Sequence, residues 1–338
     1  MKAKTVLSQI VIFFLLTSCS NDSKGFLGLF KIEEEINLET INEAYVDSVG
    51  RPEIIFSHNK NILIADPIMP KLLLNYNASD KTITRIFQKG LGRTELCSIH
   101  NIGHGRNNEE VFIYDLTAHS VYFLSPFTQC VEKDVQIKPE RFCDVAYDND
   151  LAFFLAIGED KRFGLRYNNA ISYFGDNISL DGLTPKVVSN ILQGLCLLSS
   201  TNKKITWFSV YGDILEIYDY SNIDSIKLVK SHVSRLPLYD RYNGAMDIKS
   251  NFGIQSVTTD DNYIYAVYNG KTLQEMVQNK EEAFYTDMIL VFDWNGNPIK
   301  VLKLNGLIRS ITYDKIGNQI ICIGLNDDSD NAIYSIPL

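Results

Sequence analysis

A basic cluster is missing from this chain. Its 32 Lys and Arg are outnumbered by 41 Asp and Glu, for a formal net charge of −9. Nucleic-acid binding needs cations gathered against phosphates, so that partner class is excluded. A long apolar run is missing too. The leading hydrophobic stretch, residues 6–16, is interrupted by Ser8 and Gln9. It falls short of the roughly twenty residues that a spanning helix requires. Cysteine is sparse, six in all, at spacings that match no zinc motif. No Gly-x-Ser-x-Gly elbow occurs, which argues against hydrolases built on one. Helical periodicity is nearly absent. Only residues 273–284, LQEMVQNKEEAF, within an insertion spanning 271–285, read as a short helix, a lid over one end of the fold or a solvated loop.

Strand alternation punctuated by turns is what remains, and it repeats. Residues 289–294 alternate with a two-residue period. Asn295-Gly296-Asn297-Pro298 follows, and Asn-Gly suits a tight hairpin because both residues tolerate positive φ. Residues 299–304 return, Asn305-Gly306 breaks the strand, and a new strand starts at Ile308. Six such units begin at Ile54, Cys97, Cys143, Gln193, Gln255 and Arg309, 43 to 62 residues apart. That period is the range of propeller blades. One strand-turn-strand unit cannot bury its apolar face alone, and repetition about an axis solves the problem. The expected fold is all-β, a six-bladed β-propeller over residues 31–338. Residues 36–45 are expected to donate the outermost strand of blade six, so that no sheet edge is left bare. Eighteen Tyr and eighteen Phe fit this strand content.

The N-terminus reads as an address. Lys2 and Lys4 precede the apolar run, and Leu16-Thr17-Ser18-Cys19 ends it. This order resembles the lipobox of bacterial lipoproteins. The resemblance implies a signal peptide at 1–18, lipidation of Cys19, a tether over 19–30 and attachment to the outer membrane. Residues 1–18 hold two of the basic residues and no acidic one, so the remainder carries 30 against 41, a charge of −11. Five cysteines follow Cys19, and an odd number excludes complete pairing within one chain. Cys196 and Cys322 lie among Leu and Ile and read as small buried apolar groups.

Three phrases carry a second resemblance. Gly90-x-Gly92-Arg93-x-Glu95, the run TTDDNYIYAVYNG from Thr258, and DWNGNPIKVLKLNGLIRSITYD from Asp293 are similar to TolB-like six-bladed propeller lipoproteins. Gly164-Leu165-Arg166-Tyr167 fits as well. Thr94 departs from the Pro-Gly that the family usually carries before the Glu, so Arg93 and Glu95 are candidates for a rim only.

The aligned first-strand positions are the candidate channel residues. Arg309, Gln255 and Gln193 would hold a small polar or anionic group there, and Cys97 and Cys143 would stand on adjacent blades, where a disulfide between them is left open. No catalytic residue, metal site or cofactor is expected: His100 and His104 sit in a glycine-rich stretch, and no set of carboxylates converges. The reading is a lipid-anchored, monomeric binding or scaffolding propeller that engages a protein, peptide or glycan through its loop face or channel. Its alternatives are a propeller enzyme of lactonase or lyase type and a structural subunit of an outer-membrane complex.

Overall fold

A computed structural model describes residues 25–42, 50–90, 92, 95–107, 109–124, 131–133, 142–149, 151–168, 170–180 and 182–338. The signal segment, Cys19 and Arg93 lie outside these residues, as does the side chain of Cys143.

Each apolar run closes into a hairpin where the sequence changes to turn residues. The result is a series of four-stranded antiparallel meanders. Their first strands are Ile54–His58, Asn101–His104, Phe142–Asp148, Gly194–Ser199 and Ile254–Thr259, with the second half of Pro298–Asp314 as the sixth. Every first strand lies against the next, and the sixth lies against the first. The core follows this ring. Six apolar clusters each join two neighbouring blades, such as Leu63, Leu73, Ile102 and Val111 between blades one and two. A blade therefore buries both of its faces only by having neighbours.

Three details differ from the sequence reading. Blade two starts at Asn101, four residues past Cys97, because Cys97 and Ser98 are held by the Asp115 carboxylate in the preceding loop. Asn305-Gly306 does not break its strand. Pro298–Asp314 stays extended over 17 residues and changes partners instead, pairing Lys303 with Met288 and then Ile308 with Gly324. It thus ends blade five and begins blade six.

The third difference concerns the N-terminal segment. The expected edge strand is present as Glu39–Asn42, which pairs antiparallel with Asn331–Pro337. A strand before it, Glu33–Ile36, adds parallel to the outer edge of blade five, matching Glu33 to Val301. The expected tether ends early. Gly25–Leu29 is a 3-10 turn that packs into the fold, and Phe26 is fully buried against Phe208, Tyr268 and Phe292, between blades four and five. Burying one such ring contributes about 2–3 kcal/mol. Gly25 itself has φ of +55°, and a side chain there would collide with Arg235 and Asp213.

Candidate functional site

The first strand of each blade is an edge strand, because the channel lies where a further strand would pair. Its outward N–H groups need acceptors. Side chains of the neighbouring blade supply them. Ser256 and Thr258 of blade five accept from the backbone N–H of Ile311 and Tyr313 in blade six, at 3.0 and 2.8 Å. Ser310 and Thr312 of blade six accept from Ile55 and Ser57 in blade one, at 3.2 and 2.9 Å. On the far side carboxylates take this role. Asp144 and Asp148 of blade three accept from Cys196 and Ser200 near blade four, at 2.8 and 2.7 Å. Asp144 also accepts from the Asn101 amide of blade two at 2.9 Å.

These seams surround a cavity of about 630 Å3, within the range of small-molecule sites, about 300–1,000 Å3. Residues at the first hairpin of all six blades line one end, among them Asn59, Asn107, Asn149, Thr201, Asp261 and Lys315. His58 and His104 stand there with ring centroids 6.3 Å apart, and Phe56 meets the His104 ring edge-on at 5.0 Å. His104 is ringed by protein while its surface faces the open lumen. Desolvation first, and the neighbouring His58 second, hold its pKa below the ordinary histidine value. Burial pushes Asp144 above the usual carboxylate range, against the opposing pull of His100 and of its N–H donors. Among the described residues no group of three His, Cys, Asp or Glu is placed to hold a metal ion.

The other end is tied down by the insertion. Helix Leu273–Asn279 starts with a reciprocal cap between Thr272 and Glu275, and a 3-10 turn, Lys280–Phe284, follows. The Gln255 amide donates to the Phe284 carbonyl at 2.7 Å and to the Arg309 carbonyl at 2.9 Å. Arg309 lies over the Phe284 ring and pairs with Glu53 at 3.3 Å.

The expected channel set is therefore not a set. Gln255 lines the cavity, but its amide is occupied by the insertion. Arg309 does not line the cavity, and its guanidinium is engaged by Glu53 and Phe284. Gln193 is exposed and precedes its strand. Cys97 is a free thiol that donates to the Gly90 carbonyl at 3.2 Å. The alignment placed all of these at the start of the strand, while the open mouth lies at its end. Sequence reasoning missed His58, Asp148 and the Ser/Thr pairs. The signal was the hydroxyl alternation Ser256/Thr258 and Ser310/Thr312, two positions apart on one face of each strand. Glu95 is a turn residue: its carboxylate accepts from Gly92 N–H at 2.8 Å, and a side chain on Gly90 would collide with it. Cys196 and Cys322 are buried as expected.

Comparison with known proteins agrees with this fold. Residues 183–315 match the model of the TolB-like 6-blade propeller-like family. The phrases from Thr258 and Asp293 fall inside this match, and the Gly90 turn falls outside it. No curated protein matches the chain. Among solved structures it is similar to a candidate exported protein from Bacteroides fragilis NCTC 9343, at 12% identity and a TM-score of 0.53, covering 90% of this chain and 98% of that one. It is similar to a luciferin-regenerating enzyme, at 13% identity and 0.51, covering 89% and 95%. An auxiliary nutrient binding protein from Bacteroides thetaiotaomicron VPI-5482 follows at 8% and 0.51, covering 86% and 70%. At such identities the likeness shows the fold alone. No helix of the described residues is long and apolar enough to cross a membrane.

Proposed function

We propose that this chain is an exported, lipid-anchored binding propeller, held to the membrane through Cys19, that takes its ligand into the channel at the mouth marked by His58 and His104. One observation carries the reading: a cavity of about 630 Å3 lined by all six blades, with polar side chains along its seams and His58 and His104 at its mouth. Thr258 and Thr312 each accept a backbone N–H and carry an O–H that can donate, while Ser256 and Ser310 also share a hydroxyl hydrogen bond at 3.2 Å. Together with the two imidazoles this suits the polar end of a glycan or peptide. The names of two structural relatives, one a candidate exported protein and one a nutrient binding protein, point the same way. The domain acts as a monomer without nucleic acid or cofactor.

Calorimetry of the full chain against oligosaccharides and short peptides tests this. Saturable binding is expected, weakened about tenfold or more, 1.4 kcal/mol, when His104→Trp fills the mouth. Binding that survives His104→Trp, or no binding by any member of either class, would reject the channel as the site.

A further inference from the structure

Two independent features fall on the end of the propeller opposite the mouth. The first is where the chain enters the fold. Gly25 sits against Asp213 and Arg235. Asp213 begins its strand and Arg235 ends the neighbouring one, so both lie at the end away from the first hairpins. Cys19 is six residues before Gly25, and six residues reach at most about 20 Å. A blade strand of seven residues already spans about 23 Å. A lipid on Cys19 therefore lies beside this end, and the tether is too short to carry it round to the mouth.

The second feature is the surface there. The loop after Arg235 doubles back in a tight turn. Its N–H groups at Tyr242 and Asn243 donate to the Asp240 carboxylate, and Gly244 N–H donates to the Asp240 carbonyl. The turn holds Tyr242 out with 98% of its surface exposed. Leu236, Leu238 and Ile248 of the same loop are also exposed, at 45, 50 and 57%. The insertion continues this surface, because Gln274 N–H donates to the Ile248 carbonyl, and its helix exposes Val277 at 75%. Apolar groups gathered on one face need a reason to stay in water, and tyrosine is suited to a lipid headgroup layer, with an apolar ring and a polar tip.

We infer that this end of the propeller, led by Tyr242 and Val277, rests on the lipid surface, so that the channel mouth points away from the membrane. The inference rests on the reading that Cys19 is lipidated. It makes the domain an oriented receptor rather than one that swings on a leash.

The test uses the full chain, extracted from membranes and reconstituted in phosphatidylethanolamine–phosphatidylglycerol vesicles. Trp207 and Trp294 are buried, so an added surface tryptophan can be read above them. Tyr242→Trp is expected to shift its emission to the blue and to lose about half of it to brominated lipids, as a side chain in the headgroup layer does. Ile316→Trp, at the mouth, is expected to do neither. A Tyr242→Trp signal untouched by brominated lipid, or quenching at both positions, overturns the docking face. Protection of Tyr242→Trp by a co-purifying protein instead of lipid overturns it in favour of a protein partner. Intact-mass measurement keeps the two readings apart. A chain without acyl mass at Cys19 sinks the anchor and this inference together. An acylated chain with an unquenched Tyr242→Trp sinks the inference alone.

Discussion

The two sides of the channel solve one problem with different chemistry. Between blades five, six and one, hydroxyls receive the free N–H groups of the inner strands. Between blades three and four, carboxylates do. A hydroxyl does this without charge and satisfies one donor. Asp144 satisfies two, from blades two and four, and brings an ionisable group into a fully buried place. The hydroxyl side is a neutral seam that adds one bond at a time. The carboxylate side gathers three blades on one residue, and it is the side whose integrity varies with pH. A ligand in the channel meets hydroxyl-capped seams on one side and carboxylate-capped seams on the other.

The sharpest way to break the contrast is Asp144→Ala. It strands the Cys196 N–H and leaves the Asn101 amide only its bond to the Val145 carbonyl, at about 1–3 kcal/mol for each buried donor left without a partner. A lowered denaturant midpoint with an unchanged slope is the expected result, and a loss no larger than that of a single hydroxyl would erase the distinction. Asp144→Asn sharpens it further. Because burial raises the native pKa of Asp144, its contribution is fully present below its ordinary value of 3.8 and fades as pH rises through the native pKa. The stability of the wild type relative to Asp144→Asn is therefore expected to fall as pH rises from about 3.8.

On the neutral side Thr312→Val keeps the shape and removes the acceptor of one N–H, that of Ser57. About 1 kcal/mol is expected, without pH dependence. The smallest effect belongs to His104. Its native pKa is depressed, so the native state binds a proton less readily than the unfolded chain and loses stability as pH falls through 6.5. His104→Asn is expected to flatten that slope by a few tenths of a kcal/mol in urea titrations at successive pH values, since the ring faces solvent in the lumen.

The architecture was legible because its signals are local. Period-two alternation, Asn-Gly turns and a blade-length repeat each report on neighbouring residues, and together they pointed to six blades and to an edge strand within 36–45, of which Glu39–Asn42 pairs. The site was less legible because it depends on direction. Alignment at Ile54, Gln255 and Arg309 found equivalent positions but not which end of the channel they occupy. That was decided by the insertion, whose Phe284 draws Gln255 and Arg309 into its own contacts. The parallel strand at 33–36 left no trace in the sequence, because EEEI gains its pairing from Val301 and Leu304 rather than from its own pattern. Phe26 looked like part of a tether for the same reason: the rings that bury it, Phe208, Tyr268 and Phe292, lie about 180 to 270 positions away.

The pairing of Glu39 with Ser335 spans 296 positions. Loop closure over such a distance has an entropic cost, and the partner strand is synthesised nearly three hundred residues after the segment it pairs with. Glu39–Asn42 must therefore wait for Asn331–Pro337, while Glu33–Ile36 can already pair on the edge of blade five. A chain cut short before Asn331 would keep nearly every blade and leave Glu39–Asn42 without its partner, so this one pairing reports whether the ring has closed.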